Sequence, residues 1–184
     1  MNTNIIVDSC VDFNEVTENI DRVPFRILID GEEIVDENTD ILELIRKMKN
    51  SRSQIKTACA PPEDFINKIK EHANNFIVTI SSQLSGSYNS AMVAVDTIKE
   101  KFPEAFVHIF DSKTACAGET LVALKVKQLI DDNLKPADIV EQTEKYITKL
   151  RTLFILDSLD NLAKNGRITN FKAMIANIMH IVPI

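Results

Sequence analysis

Residues 76–87 read FIVTISSQLSGS, an apolar run that changes abruptly into a serine-rich segment ahead of a helical pattern reaching Phe102. The apolar run predicts a buried strand at residues 76–80, and the serines predict the turn between this strand and the helix. A polar turn of this kind is typical of open α/β sheets, whose ligands bind beyond the carboxyl ends of the strands. This segment therefore indicates both the fold class and the position of a candidate site.

The same order of strand, polar turn and helix recurs along the chain. Apolar runs predict further strands at residues 4–7, 105–110 and 152–156, and each run is followed by an Asp-Ser pair, at residues 8–9, 111–112 and 157–158. Helical spacing predicts a short turn from Asp12 and helices at residues 39–50, 61–74, 114–132 and 136–150. The alternation predicts an α/β fold with a largely parallel, helix-flanked sheet.

Two local patterns add detail to this outline. Asp30-Gly31 lies between extended residues 23–29 and 32–34, which predicts a hairpin. Each Asp-Ser pair places polar groups at the ligand-binding edge of the sheet. The alternative is that each Asp or Ser simply caps the helix that follows it.

Composition excludes several classes of protein. The chain has 184 residues, of which 26% are charged and 45% apolar, so it is long enough for a core and too apolar to be disordered. Its net charge of −6 argues against binding to nucleic acid. No apolar run approaches the roughly 20 residues of a membrane span, and the N-terminus lacks a signal-peptide pattern. We expect a cytoplasmic protein.

The three cysteines, Cys10, Cys59 and Cys116, are far apart in the sequence and odd in number. They do not form a C-x-x-C metal motif or suggest a disulfide framework, so free thiols are the primary expectation. A reactive cysteine is the alternative, although no histidine lies near any of them. No cluster has metal-ligand spacing, so the sequence predicts no metal site.

The serine-rich segment predicts an anion site. A helix beginning there would present the amides of Gly86 and Ser87 and the positive end of its dipole, surrounded by hydroxyls. Such a site suits a carboxylate or a single phosphate, since the P-loop and dinucleotide glycine patterns are absent. The alternative is an ordinary serine-rich helix cap. No nucleophile elbow or serine–histidine pairing is recognisable, so no catalytic residue is predicted.

Several motifs together resemble those of one family. Residues 6–12 read IVDSCVD, residues 57–65 read TACAPPEDF, residues 80–91 read ISSQLSGSYNSA, and residues 162–168 read LAKNGRI. With the proline at 24, the Asp-Gly at 30–31, and the Asp-Ser at 111–112 followed by Gly118, they stand in the order and spacing of the DegV family. The resemblance covers essentially the whole chain.

The resemblance implies a bacterial fatty-acid-binding protein that presents its ligand to a fatty acid kinase for acyl-phosphate formation, and so a carrier without catalytic residues or a cofactor. It places the acyl chain in an apolar tunnel between two domains. The residues implied to bind the carboxylate are Thr57, Ser85, Gly86, Ser87 and Ser82, and Arg167 resembles a position that faces the kinase or the phosphate. The alternative is an enzyme on the same scaffold that transfers phosphoryl or acyl groups at the serine-lined crevice.

The chain also departs from the family pattern. It has Cys10 and Val11 where members commonly carry T-[AS], Ala58 where a serine is usual, and Asn165 in place of the first of two glycines. Members are longer, so the resemblance implies an N-terminal α/β domain at residues 1–157 and the start of a second, truncated α/β domain at residues 158–184. A fragment with an incomplete ligand site is therefore a third interpretation.

Overall fold

The structure is a computed structural model that describes residues 2–12, 20–37, 39–51, 53–153 and Gly166. Within these residues the elements follow one another as β1 (Thr3–Asp8), β2 (Ile20–Val23), β3 (Arg26–Ile29), β4 (Glu32–Val35), α1 (Ile41–Asn50), β5 (Lys56–Ala58), α2 (Pro62–Ile66), β6 (Asn74–Thr79), α3 (Ser87–Lys101), β7 (Val107–Asp111), α4 (Ala117–Asp131) and α5 (Pro136–Ile147).

A four-stranded parallel sheet in the order β2-β1-β6-β7 forms the centre of the fold. Its register pairs Ile5 with Phe76 and Phe76 with His108. Alternate strand residues pack on opposite faces: Phe76 faces α4 and α5, whereas Ile77 faces α2 and α3. The predicted parallel, helix-flanked α/β sheet is therefore confirmed, because apolar runs buried on both faces require helices on both sides.

A smaller antiparallel sheet in the order β4-β3-β5 lies apart from the central sheet. The predicted hairpin is confirmed: Asp30 and Gly31 have φ of 51° and 88°, as a tight turn with two left-handed residues requires. Helix α1 begins where the Asp40 carboxylate accepts hydrogen bonds from two backbone amides. Its Lys47 binds Glu32 of β4 at 2.9 Å, so a polar contact joins the helix to the small sheet.

Two predicted elements differ from the structure. Helix α2 ends at Ile66 rather than near Asn74, because residue 74 begins β6 and the Asn75 side chain accepts a hydrogen bond from the Lys70 amide. The extended segment at residues 23–29 is two strands, since Pro24 and Phe25 separate β2 from β3. Strand β5 had no predicted counterpart.

Several predictions fall outside the described residues. These are the short turn after Asp12, the end of the strand predicted at residues 152–156, the domain boundary at residues 157–158, and Arg167. Among the residues that are described, no helix is both long enough and apolar enough to cross a membrane.

Candidate functional site

The carboxyl ends of β1, β6 and β7 meet at one edge of the central sheet. Asp8 ends β1, Asp111 ends β7, and the serine-rich turn follows β6 between them. The Ser112 amide donates to the Thr79 carbonyl at 3.2 Å, and the Ser81 amide donates to the Thr114 carbonyl at 2.8 Å. The predicted clustering of polar groups at this edge is therefore present.

Asp8 is fully buried and links β1 to the turn after β6. Its Oδ2 accepts hydrogen bonds from the Ile80 amide at 3.0 Å and the Ser87 hydroxyl at 2.6 Å, and its Oδ1 accepts from the Cys10 amide at 3.1 Å. Burial raises the pKa of Asp8, and these hydrogen bonds oppose the rise. Ser87 was predicted to contribute to a carboxylate site. In this structure its hydroxyl proton is already donated to Asp8.

Asp111 forms a second link to the same turn. Its Oδ2 accepts from the Ser82 hydroxyl at 2.6 Å, and its Oδ1 accepts from the amides of Ser82 at 3.0 Å and Lys113 at 3.2 Å. Helix α4 has Cys116 as its N-cap residue, so Asp111 does not cap it. The capping alternative is therefore wrong for Asp111, while Asp157 lies outside the described residues.

The turn itself presents an outer surface between these two anchors. Ser82 and Gly86 are exposed, Ser85 is half-buried, and the Ser85 hydroxyl oxygen accepts from the Ser87 amide at 3.2 Å. Helix α3 begins at Ser87 with no side-chain cap hydrogen bond. Of the two amides predicted to face an anion, that of Ser87 is therefore engaged by Ser85 in this structure.

The residues after β5 pack against the start of α3. A Cβ added at Gly86 would lie 3.2 Å from the Cys59 sulfur, so glycine allows this close approach. The Ser90 hydroxyl donates to the Ala60 carbonyl at 2.6 Å. Thr57 is exposed on β5, two residues before Cys59. The fold therefore brings the two segments that the resemblance implies, residues 57–60 and 82–87, to neighbouring positions.

Behind the turn lies a group of acids and thiols that sequence spacing did not reveal. One ligand atom from each of Asp8, Cys10 and Glu119 lies within 4.8 Å of the others, and the Cys10 and Cys116 sulfurs are 3.9 Å apart. All three cysteines of the chain are free thiols. The only signals in the sequence are the short spacings Asp8-x-Cys10 and Cys116-x-x-Glu119, which lie more than one hundred positions apart.

The charges of this group are strongly perturbed. Glu119 is fully buried. Its burial, and to a smaller extent the repulsion from Asp8, raises its pKa well above the usual range. The hydrogen bond between the Cys10 and Cys116 side chains lowers the pKa of the Cys116 thiol to about 7 and raises the pKa of the Cys10 thiol. The Glu119 carboxyl group interacts with the Asp8 carboxylate and the Cys10 thiol, and its oxygens have no other hydrogen-bond partner among the described residues.

The fold and the edge described above define the class: an open parallel α/β protein with a hydroxyl-rich turn between a strand and a helix. A family model for uncharacterised proteins of the DegV family matches residues 2–184. The chain belongs to the DegV family.

Individual relatives agree with this membership. A DegV domain-containing protein of Streptococcus gordonii is 34% identical over 188 residues, which cover 98% of this chain and 66% of the relative. This chain thus spans slightly less than two thirds of that curated relative.

Solved structures give the same result. A DegV family protein of Ruminococcus gnavus, described with vaccenic acid, is 37% identical with a TM-score of 0.87, covering 91% of this chain and 62% of that one. The fatty acid kinase B3 protein of Streptococcus pneumoniae, described as loaded with linoleic acid, is 32% identical with a TM-score of 0.88, covering 95% and 64%. The shared fold is therefore that of proteins described with bound fatty acids.

Proposed function

We propose that this protein binds a long-chain fatty acid, with its carboxylate at the turn formed by residues 82–87 and its acyl chain leading away from it. The observation that carries the proposal is the likeness, above 30% identity, to structures described with vaccenic and linoleic acid. The contact between Cys59 and Gly86 supports it, because it brings the Thr57 segment beside that turn.

We assign the residues different tasks at the carboxylate. Thr57 and Ser85 donate hydroxyl hydrogen bonds to it, and the Gly86 backbone gives it close access. Ser82 and Ser87 already donate to Asp111 and Asp8, so they hold the turn in shape. A hydrogen bond to a charged group contributes about 1.5–3 kcal/mol, whereas each buried methylene contributes about 0.8 kcal/mol. The acyl chain therefore dominates affinity, and the hydroxyls orient the head group.

We further propose that the protein is a carrier rather than an enzyme, acts in the cytoplasm, and presents the bound carboxylate to a fatty acid kinase. The name of the pneumococcal neighbour supports this partner. Arg167 is the residue assigned to contact the kinase or the phosphate. The fatty acid is the ligand, and fatty-acid binding itself requires no cofactor.

The test measures fatty-acid affinity in the delipidated chain with Thr57→Ala, Ser85→Ala and the matched control Thr148→Ala, an exposed threonine after α5. We expect each site variant to weaken binding about tenfold or more, since a hydrogen bond to a charged group is lost. Thr148→Ala should bind as the unsubstituted chain does. Unchanged affinity in both site variants would overturn the head-group assignment.

A second measurement identifies the ligand class. Organic extraction and mass spectrometry of the purified protein should release a fatty acid in stoichiometric amount. A copurifying nucleotide or sugar phosphate would instead support the alternative, an enzyme at the serine-lined crevice, and would contradict the carrier role.

A further inference from the structure

We propose that Cys10, Cys116, Glu119 and Asp8 form a binding site for a zinc ion, separate from the residues assigned to the fatty-acid carboxylate. The site lies behind the turn, where the residues following β1 meet the beginning of α4. None of Thr57, Ser82, Ser85, Gly86 and Ser87 is a ligand in it. Ser87 touches the site only through its hydrogen bond to Asp8, and zinc binding is measured separately from fatty-acid binding.

The ligands come as two short pairs. Asp8 ends β1, Cys10 lies two positions later in the turn that follows, and the Cys10 amide donates to the Asp8 carboxylate. Cys116 is the N-cap of α4, and Glu119 lies in the first turn of that helix, three positions later. Structural zinc sites are commonly assembled from two such pairs on separate segments.

The distances suit a tetrahedral zinc ion. Zinc binds thiolates at about 2.3 Å, which places two sulfurs on one ion about 3.8 Å apart. The Cys10 and Cys116 sulfurs lie 3.9 Å apart, longer than the roughly 2.05 Å of a disulfide. The ligand atoms of Asp8, Cys10 and Glu119 lie within 4.8 Å of one another, so small side-chain adjustments bring them to one centre.

Glu119 is the observation that independently indicates a cation. Its side chain is fully buried, and within the described part of the chain its oxygens have no hydrogen-bond partner beyond Asp8 and Cys10, which are themselves proposed ligands. Two buried carboxyl groups that face each other repel when both are ionised, and a divalent cation bound between them removes that repulsion. The Glu119 carboxyl group therefore lies within reach of the Cys10 sulfur and the Asp8 carboxylate, and Cys10 lies beside Cys116.

Asp8 is already oriented for a role as ligand. It accepts hydrogen bonds from the amides of Cys10 and Ile80 and from the Ser87 hydroxyl, which leaves about one of its roughly four lone-pair positions. Such bonds fix the direction of a ligating carboxylate and tune the metal it binds.

The donor set selects the kind of metal. Two thiolates disfavour Mg²⁺ and Ca²⁺, which prefer oxygen ligands, and favour zinc or a similar borderline ion. Cys116 is exposed and Cys10 is half-buried, so the ion would enter from the side of Cys116. Bound there, zinc would tie the turn after β1 to the start of α4, with its four side chains completing the coordination.

The experiment is a zinc titration of the reduced chain against a chromophoric chelator, with cobalt(II) as a spectroscopic probe. The site variants are Cys10→Ser, Cys116→Ser and Glu119→Gln. The matched controls are Cys59→Ser and Glu141→Gln; Glu141 is exposed on α5.

We expect one zinc ion per chain, a thiolate-to-cobalt charge-transfer band with intense tetrahedral d–d bands, and a Tm that zinc raises and EDTA restores. Each cysteine site variant should lose about 100-fold or more in zinc affinity, since loss of partners outside the ligand set already costs about 10- to 100-fold. Glu119→Gln should weaken zinc binding by at least about tenfold, and both controls should bind as the unsubstituted chain does.

Two results would overturn the site, and the first needs no variant. If cobalt binds to the reduced, unsubstituted chain without a thiolate band, or zinc does not bind to it, then Glu119 is simply a protonated acid beside Asp8. If folded Cys10→Ser and Cys116→Ser retain full zinc affinity, the metal lies elsewhere. Circular dichroism of each variant identifies those that fold.

Discussion

The two sheets of this protein differ in what holds them in place. In the central sheet, residues 75–79 of β6 are all buried, and so are the last five residues of β1. In the small sheet, Ile29 is the only buried residue among β3, β4 and β5, and α1 beside it buries none. Packing therefore stabilises the first sheet, and the second depends more on polar contacts.

Those polar contacts can be identified. Arg26 of β3 binds Asp64 of α2 at 2.6 Å, and the Phe25 amide donates to the Ser9 hydroxyl at 3.0 Å. Thr57, assigned to the fatty-acid carboxylate, lies on this small sheet, whereas the serine-rich turn extends from the central one. The proposed site thus joins a rigid support to one with few buried contacts, where local opening is cheaper.

The largest expected effect is a loss of stability in the closely packed central sheet. Phe76 is fully buried in β6 and contacts the rings of Phe106 and Phe110. Phe76→Ala should lower the free energy of unfolding by about 3–5 kcal/mol, as large cavities do. Leu42 of α1 is 79% exposed, so Leu42→Ala should change it by no more than about 0.5 kcal/mol. Urea denaturation measures both, and equal losses would break the comparison.

An intermediate effect tests the polar side. The Arg26 side chain is 18% exposed and also donates to the Pro24 carbonyl at 2.7 Å. Arg26→Ala should cost about 1–2 kcal/mol, because it removes charged hydrogen bonds from a partly screened site. Hydrogen exchange should accelerate in β3 and β5 and stay unchanged in β6.

Arg46→Ala, an exposed arginine on α1, is the control for this variant. Faster exchange throughout β6 in Arg26→Ala would mean that the two sheets open as one unit, contrary to the distinction drawn between them.

The smallest effect concerns pH. Burial lowers the pKa of His108 in β7 below its ordinary 6.5, while Glu144, 3.6 Å away, partly opposes this. The unfolded chain then binds more protons than the folded one between the two pKa values, so stability rises with pH toward 6.5 and falls as pH drops. His108→Gln should flatten this dependence by less than about 1 kcal/mol, since the side chain is 32% exposed.

His72 is exposed and serves as the matched control. The pH dependence of the urea midpoint across this range should be weaker in His108→Gln than in the control variant His72→Gln. An identical pH dependence in the unsubstituted chain and His108→Gln would contradict the assignment to His108.

Sequence was informative where local chemistry decides structure. The apolar runs of β1, β6 and β7 predicted the parallel sheet, and Asp30-Gly31 predicted the hairpin. Strand β5 was missed because its three residues are all exposed and show no alternation. The end of α2 was missed because a side chain of the next strand, Asn75, sets the chain direction there.

The candidate site, too, was only partly predictable from the sequence. The sequence located the serine-rich turn from the turn's own residues. It did not predict the hydrogen-bond partners of the hydroxyls, because Ser87 donates to Asp8 and Ser82 donates to Asp111, and both partners lie in distant segments. The proximity of Cys10 and Cys116, separated by 106 positions, arises only from the fold. The roles of Thr57, Ser85, Gly86, Ser82, Ser87 and Arg167 toward a ligand stay predictions.

The position of β1 in the sheet bears on the order in which the chain acquires structure during synthesis. β1 pairs with β2 on one side and with β6 on the other, and Asn4 and Asn75, which bind each other across that second pairing, are 71 positions apart. Closing so long a loop is slow compared with forming a hairpin from neighbouring residues. The hairpin of β3 and β4 is therefore expected to form while the ribosome is still producing β6, and the pairing of β1 with β6 forms only after β6 has emerged.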